Sequence, residues 1–183
     1  PRIKAKVPAR TTPQSIVVTD KEATNFSVEV DYPATPSKVE ITLGDYHHSL
    51  VKNLFTSLLN QRLNELTRSS KPPFLYSATS FSSFARGYEN FSAFAVAGEG
   101  GPDSALNKMM LEVNRAIKYG FTEAELERGK KNRLAFMEQL YNNRNKTESA
   151  NYVEEYVRVF LQQELTPGIE KEFEYNKQLL PGI

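Results

Sequence analysis

The stretch LLNQRLNELTRSSKPPFLYSATSF, residues 58–81, decides the fold because its first part has the pattern of a helix and its last part the pattern of a strand. Its leucines at 59, 63 and 66 are spaced by four and three residues, which predicts the apolar face of an α-helix. Pro72 and Pro73 then end the helix, since proline lacks the amide hydrogen and clashes with the preceding turn. The residues from Phe74 onward read as the first of two strands.

The residues before this stretch predict a linker, a strand and the rest of the helix. Residues 1–14 are rich in Pro, Lys, Arg and Thr, which indicates an extended linker. NFSVEVDYP, residues 25–33, alternates apolar and polar side chains with the period of a half-buried strand. The apolar spacing predicts a helix over about 37–69, capped by Thr35 or Ser37 and weakened at Gly44.

The residues after it predict a hairpin followed by helices. FLYSATSFSSFA and FSAFAVAGEG flank RGYEN and read as antiparallel strands joined by a turn. The next helix has Asp103 as its predicted cap and ends at Gly120, and another begins with a Thr122–Glu125 capping box. Two further helical stretches complete the chain. The class is α+β, an antiparallel or mixed sheet with helices packed on one face, and the predicted domain covers 15–183, truncated at its end.

Composition limits the possible functions. The 183 residues, 39% hydrophobic with 11 Phe and 9 Tyr, describe one globular domain with a core. A formal net charge of +1 gives no reason to expect nucleic acid, and no apolar run approaches the roughly 18 residues that span a bilayer. The absence of cysteine rules out thiolate ligands and nucleophiles.

The adjacent histidines His47 and His48 raise the question of a metal site. Neighbouring residues on a helix point about 100° apart, so the pair cannot clamp one ion. Metal-binding helices place ligands three or four residues apart, but Leu50 and Val51 occupy those positions after His47. We therefore predict no metal and no cofactor in this chain, with one histidine against the core and the other in solvent.

No complete catalytic set is visible either. There is no GxSxG sequence, and no GK[ST] follows the glycines of AGEGGPD. Arg68 and Tyr76, at the junction of the long helix and the following strand, are candidates for holding a substrate backbone or polarising a carbonyl. The favoured explanation at this point is an ordinary capping or surface arginine and a half-buried tyrosine. The strand itself is a candidate edge for an extended peptide.

Four segments together resemble the second domain of bacterial zinc peptidases of the pitrilysin/insulinase family. They are VVTDKEAT, the stretch 58–81, FTEAELERGKKNRLAFMEQLYNNRNKTES and LTPGIEKEFEYNKQLLPGI, in that order, over about residues 15–183. The resemblance implies a parent protein whose halves close around a peptide. The sequence leaves its compartment open, and the resemblance makes the bacterial periplasm or cell envelope one candidate. Its zinc is held by an HxxEH sequence and a distant Glu in the first domain. This chain has no HxxEH, so the resemblance implies a non-catalytic companion, with zinc in the parent only.

The same resemblance suggests a role for Arg68 and Tyr76. In the family, an Arg and a Tyr in LRTKEQLGY reach the substrate. Here the region reads LTRSSKPPFLY, in which Arg68 and Tyr76 are eight positions apart, one more than in the family, and TKEQLG is replaced. This departure favours the first half of a two-half chain and leaves the two residues as substrate-contact candidates.

The resulting hypothesis is a non-catalytic domain of a zinc-dependent metallopeptidase, inactive alone, that forms part of the peptide chamber and the interface between domains. Its expected partners are the zinc-binding domain and second half of the same chain or dimer, and a peptide substrate, without nucleic acid or a membrane span. Two alternatives remain: a structural or partner subunit that has lost catalysis, and a self-contained module that binds extended peptides at a sheet edge.

Overall fold

The computed structural model describes residues 6–162 and 165–183. In chain order the elements are β1 (Ser27–Asp31), β2 (Thr35–Pro36), α1 (Leu43–Thr67), β3 (Phe74–Ala85), β4 (Tyr88–Ala97), α2 (Gly101–Tyr119), α3 (Glu123–Asn143), α4 (Ser149–Gln162) and α5 (Ile169–Leu179). Short 3₁₀ turns follow α3 and α5, at Arg144–Lys146 and Leu180–Gly182. The predicted α+β class is confirmed, and the sheet is antiparallel.

The chain forms two compact units. The sheet unit contains the residues up to Ser37 and Leu59–Gly120, whereas the helical unit contains Lys38–Leu58 and Phe121–Ile183. Helix α1 therefore contributes its first part to the helical unit and its last part to the sheet unit. The predicted linker is without helix or strand over residues 6–14, and residues 1–5 lie outside the described part of the chain. The boundary at residue 15 stays a prediction.

Strand β4 is the centre of the sheet. β1 and β2 pair antiparallel with one side of it and β3 with the other, so that Ala93 lies between Val30 and Thr79. The predicted hairpin is confirmed: Arg86 and Gly87 connect β3 to β4, and the positive φ of 82° at Gly87 explains the glycine there.

One face of the sheet is buried with the help of small side chains. Helix α2 lies against β4 and β1, and Ala93 and Ala95 are both completely buried. Small residues on the strand allow the helix backbone to approach closely. The core of the sheet unit is completed by larger buried side chains from α1, β3 and α2: Leu59, Leu63, Phe74, Met109 and Val113.

The start of α1 differs from the prediction. The helix begins at Leu43 and not near residue 37, and it continues through Gly44 without a break. The Thr42 hydroxyl accepts from the Asp45 amide at 3.2 Å, and the Asp45 carboxylate accepts from the Thr42 amide at 3.0 Å. This reciprocal pair is a capping box with Asp in place of Glu or Gln. Lys38 forms an ion pair with Asp45. This pair is the largest of the effects that hold the pKa of Asp45 well below its usual range, and the hydrogen bonds from Thr42 and Ile41 lower it further.

Of the caps predicted for the next two helices, one is wrong and one is correct. Asp103 lies within the first turn of α2, and Gly100 is the cap residue, so the predicted Asp103 cap is wrong. Pro102 at the start of the helix needs no amide partner, which reduces the need for a side-chain cap. The Thr122–Glu125 capping box of α3 is confirmed, as is the end of α2 at Gly120.

The helical unit is held by contacts of α3 with α5 and with the first part of α1. Gly129 is buried on α3, and a Cβ there would lie 2.8 Å from Cδ2 of Leu58. Tyr141 stacks on Phe173 with ring centroids 5.2 Å apart. Within the described residues, no helix has an apolar stretch long enough to cross a bilayer.

Candidate functional site

The candidate residues Arg68 and Tyr76 lie on either side of the α1–β3 connection in the sheet unit. Arg68 directly follows the last residue of α1, its side chain is exposed, and its amide donates to the Glu65 carbonyl at 3.2 Å. Its backbone therefore continues the end of the helix while its guanidinium side chain lies at the surface.

Tyr76 lies near the start of β3. Tyr76 is 56% exposed, which is more than expected for the half-buried tyrosine of an ordinary strand. Its ring centroid is 6.4 Å from that of Phe94 on β4. A β-bulge between Phe74 and Tyr76 places Leu75 beside it, and Leu75 is 60% exposed. The bulge thus leaves two large side chains exposed at the beginning of β3.

A cleft lies beside this connection, between the end of α1, the start of β3 and the start of α2. It has a volume of about 530 Å³. Arg68 and Tyr76 do not line it. The lining residues are Leu66, Ser69, Lys71, Pro72, Pro73, Glu99, Gly100, Ser104 and Lys108. This cleft is therefore separate from both candidate side chains.

The base of the connection is fixed by Gly98. Its amide donates to the Pro73 carbonyl at 3.1 Å, and a Cβ at this position would overlap the Pro72 carbonyl oxygen. Only glycine permits this close approach of two backbone segments. The sequence SSKPPF and the glycine of AGEG are thus structural partners.

Among the residues that the structure describes, no group of side chains fits a zinc ion. His47 is half-buried and His48 is exposed, as predicted for neighbours on α1. Across residues 6–162 and 165–183, no three His, Cys, Asp or Glu side chains lie close enough together to hold a metal. No step of a zinc-dependent reaction is therefore assigned to these residues.

The outer edge of β3 is occupied at Thr79. Oδ1 of Asn60, on α1, accepts from the Thr79 amide at 2.7 Å and from its hydroxyl at 2.9 Å, while Nδ2 of Asn60 donates to the Thr79 carbonyl at 3.0 Å. The amide and carbonyl of one strand residue point to the same side, so Asn60 takes the place that a further strand would occupy. An extended peptide cannot pair with β3 at Thr79 without displacing Asn60.

The helical unit contains a buried polar network that sequence analysis missed. Asn176 on α5 is fully buried, and its Oδ1 accepts from Nε of Arg133 at 3.0 Å. Its Nδ2 donates to Tyr46 Oη at 2.9 Å and to the Glu172 carbonyl at 2.7 Å. The apolar spacing of the surrounding helix was the only available signal, since it places position 176 on a buried face.

Burial also affects the acid groups around Asn176. Desolvation raises the pKa of Glu172, and the negative charges of Glu155 and Glu40 raise it further against the opposing effect of Arg133. Desolvation and the charge of Glu172 raise the pKa of Tyr46. The groups that shift these pKa values include more acidic side chains than basic ones, with Arg133 as the opposing positive charge.

A zinc protease PQQL-like protein of Arabidopsis thaliana is similar to this chain. The two are 28% identical over 164 residues, which cover 90% of this chain and 14% of that protein. No family model matches the chain.

The backbone is similar to solved protease structures. The first half of the periplasmic protease PqqL from Escherichia coli superposes with a TM-score of 0.81 at 19% identity, covering 90% of this chain and 35% of that one. This chain has the fold of a pitrilysin/insulinase-family domain. A predicted insulinase family protease from Yersinia pestis agrees less closely, with a TM-score of 0.68, 12% identity and coverage of 88% and 35%.

The chain thus shares the fold of solved insulinase-type proteases, as the four sequence segments implied. It spans 14% of the Arabidopsis relative and 35% of the PqqL half. Most of each of these two proteins lies outside the part that this chain matches. The activity, substrate and assembly of a whole peptidase therefore concern more than the residues described here.

Proposed function

We propose that this chain is a non-catalytic domain of a zinc-dependent metallopeptidase. It forms part of the wall around the bound peptide and of the interface with neighbouring domains. The observation that carries the proposal is the agreement of its backbone with part of the first half of PqqL, at a TM-score of 0.81 over 90% of the chain. The name of the Arabidopsis relative, a zinc protease, supports zinc elsewhere in the parent.

The contribution of such a domain is enclosure and positioning. A peptide held in a closed chamber spends more of its time in the geometry in which its carbonyl is attacked. Exclusion of bulk water strengthens the electrostatic interactions at the reaction centre. Neither effect requires the domain to supply a metal ligand or a proton.

Arg68 and Tyr76 are the proposed points of substrate contact. Both side chains are exposed near the α1–β3 connection, so a peptide reaches them without rearrangement of the core. A guanidinium and a phenol hydroxyl donate hydrogen bonds to peptide carbonyls, which fits this use. Neither residue lines the cleft beside the α1–β3 connection, so the proposed contacts lie on the exposed surface.

The alternative of a self-contained module that binds peptides at the β3 edge has less support. The Asn60 contacts occupy Thr79, near the middle of the strand. The alternative of a structural subunit without catalysis predicts a parent that lacks the HxxEH sequence.

The test compares the chain with its longer parent polypeptide, both purified in chelator and then given zinc. We expect the chain to retain no stoichiometric zinc and to cleave no peptide, and the parent to bind zinc and cleave peptides. Arg68→Ala and Tyr76→Phe in the parent are expected to raise KM. Zinc held tightly by the isolated chain, or a parent that neither binds zinc nor cleaves, would overturn the proposal.

A further inference from the structure

The segment Ile16–Val18 of the sheet unit presents three large apolar side chains to solvent. Ile16, Val17 and Val18 are 87%, 88% and 85% exposed. Exposed single apolar residues are common on protein surfaces, but three in succession at nearly full exposure are not. The segment therefore lacks a cover that its side chains require.

The backbone of the same segment is also without partners. Residues 14–20 form no helix or strand, and no backbone hydrogen bond within the described chain involves residues 16–18. The first local contacts come after it, where Asp20 accepts from the amides of Glu22 and Ala23 at 2.8 and 3.3 Å. This turn separates the segment from β1, which begins at Ser27.

The residue types indicate what conformation the segment adopts when covered. Isoleucine and valine are branched at Cβ and favour extended backbone over helix. Successive side chains of a strand point to opposite faces, so Ile16 and Val18 share one face and Val17 occupies the other. A strand that is apolar on both faces is typical of a sheet covered on both sides.

This pattern selects the class of partner. A groove that receives a helix covers one apolar face only, whereas an extended segment at a sheet edge is covered on both faces and has its amides and carbonyls paired. The partner is therefore an open sheet edge with apolar side chains above and below it.

We infer that Ile16–Val18 adds as a strand to a sheet edge in an adjoining domain of the parent polypeptide. The inference rests on the proposed function, in which this chain is one domain of a longer peptidase. The matched residues make up only 14% of the Arabidopsis relative. The rest of that protein is long enough to supply such an edge. The segment would then be a joint between two domains and not a free linker.

The experiment is hydrogen exchange, measured by mass spectrometry on the isolated chain and on the parent. We expect the amides of residues 16–18 to exchange at the rate of an unfolded peptide in the chain and on the order of 100-fold more slowly in the parent. Val17→Pro, which removes a donor, and Val17→Lys, which charges one face, are expected to abolish the protection in the parent. Thr11→Pro, in the neighbouring exposed segment, is the matched control and leaves it unchanged.

Thermal unfolding of the isolated chain controls for misfolding. Because Val17 is exposed there, neither Val17 variant is expected to change its Tm. Unprotected amides in the parent would overturn the inference. So would protection in the isolated chain that rises with protein concentration, because the partner would then be a second copy.

Zinc binding and peptide cleavage by the parent are read separately. A parent that cleaves peptides but leaves residues 16–18 unprotected retains the proposed function and overturns this inference. A parent with protected residues 16–18 and no peptidase activity retains the joint and overturns the proposed function.

Discussion

Nδ2 of Asn176 donates a hydrogen bond of 2.9 Å to Oη of Tyr46, across 130 positions of sequence. The same amide group joins Arg133, so one fully buried side chain connects α5 to α1 and to α3. Every polar atom of the amide is in use, which is the condition under which a buried polar group stabilises a fold.

Replacement of Asn176 is therefore expected to be costly. Asn176→Ala leaves Nε of Arg133 and the Tyr46 hydroxyl, both partly buried, without this partner, and we expect a loss of about 2 kcal/mol in the free energy of unfolding. Asn132→Ala, on the exposed side of α3, is the control and should change stability by less than about 0.5 kcal/mol. Urea denaturation measures both. Equal effects would mean that the network contributes nothing beyond helix packing.

Glu172 is expected to make stability decrease as pH rises. Its pKa is raised above the ordinary 4.5, so the folded state holds the proton more tightly than the unfolded state does. Its contribution is fully present below the unfolded pKa and is lost as pH increases through the raised folded value. Glu172→Gln should flatten this decrease and stabilise the protein at neutral pH.

Glu174→Gln is the control for that experiment. Glu174 lies on the same helix, but its hydrogen bond and ion pair with Lys171 lower its pKa, so its contribution is lost as pH falls. The free energy of unfolding, measured by denaturation at a series of pH values, should fall less steeply above pH 4.5 in the Glu172 variant than in the unaltered chain. The Glu174 variant should show no such change. The same slope for both variants and the unaltered chain would contradict the assignment.

Asn60 is expected to protect the edge of β3. Asn60→Ala removes three hydrogen bonds to Thr79, and we expect a loss of about 1–3 kcal/mol, since the Thr79 groups must then find water. The amide of Thr79 should also exchange faster. Asn53→Ala, an exposed position on the same helix, is the control. Unchanged exchange at Thr79 would show that the edge does not depend on Asn60.

The contact of Gly129 with Leu58 is best tested by a double-mutant cycle. Gly129→Val should destabilise the helical unit by about 1–3 kcal/mol because the new methyl groups overlap the Leu58 side chain. In a Leu58→Ala background the same change has room and should cost less. Additive effects would indicate that strain in α3 itself, and not the contact, limits the size of residue 129.

Local sequence patterns predicted much of the secondary structure. The alternation at 25–33, the Pro72–Pro73 pair and the Thr122–Glu125 box each act within a few residues, and each prediction is confirmed. The predicted start of α1 near residue 37 is wrong, because Pro36 is compatible with the first turn of a helix but does not by itself start one. The Thr42–Asp45 pair uses the shorter acidic residue and is a weaker signal.

The role of the candidate site stays a prediction. The positions of Arg68 and Tyr76 at the helix–strand junction are as predicted, but residue spacing does not tell whether two side chains share a cleft. Asn60 and Asn176 carried no signal of their own, because an asparagine on a helix is usually a surface residue.

The sequence by itself determined the strand β1, the end of α1 before Pro72 and the capping box of α3, since these depend on backbone and side-chain preferences over one or two helical turns. It also determined that His47 and His48 point in different directions from α1, one half-buried and the other exposed. Only the tertiary structure decided that Asn60 closes the β3 edge, that Gly98 admits the backbone of Pro72, and that Ile16–Val18 stays uncovered. These features depend on which distant segments meet, and burial and hydrogen bonding between distant segments follow from packing alone.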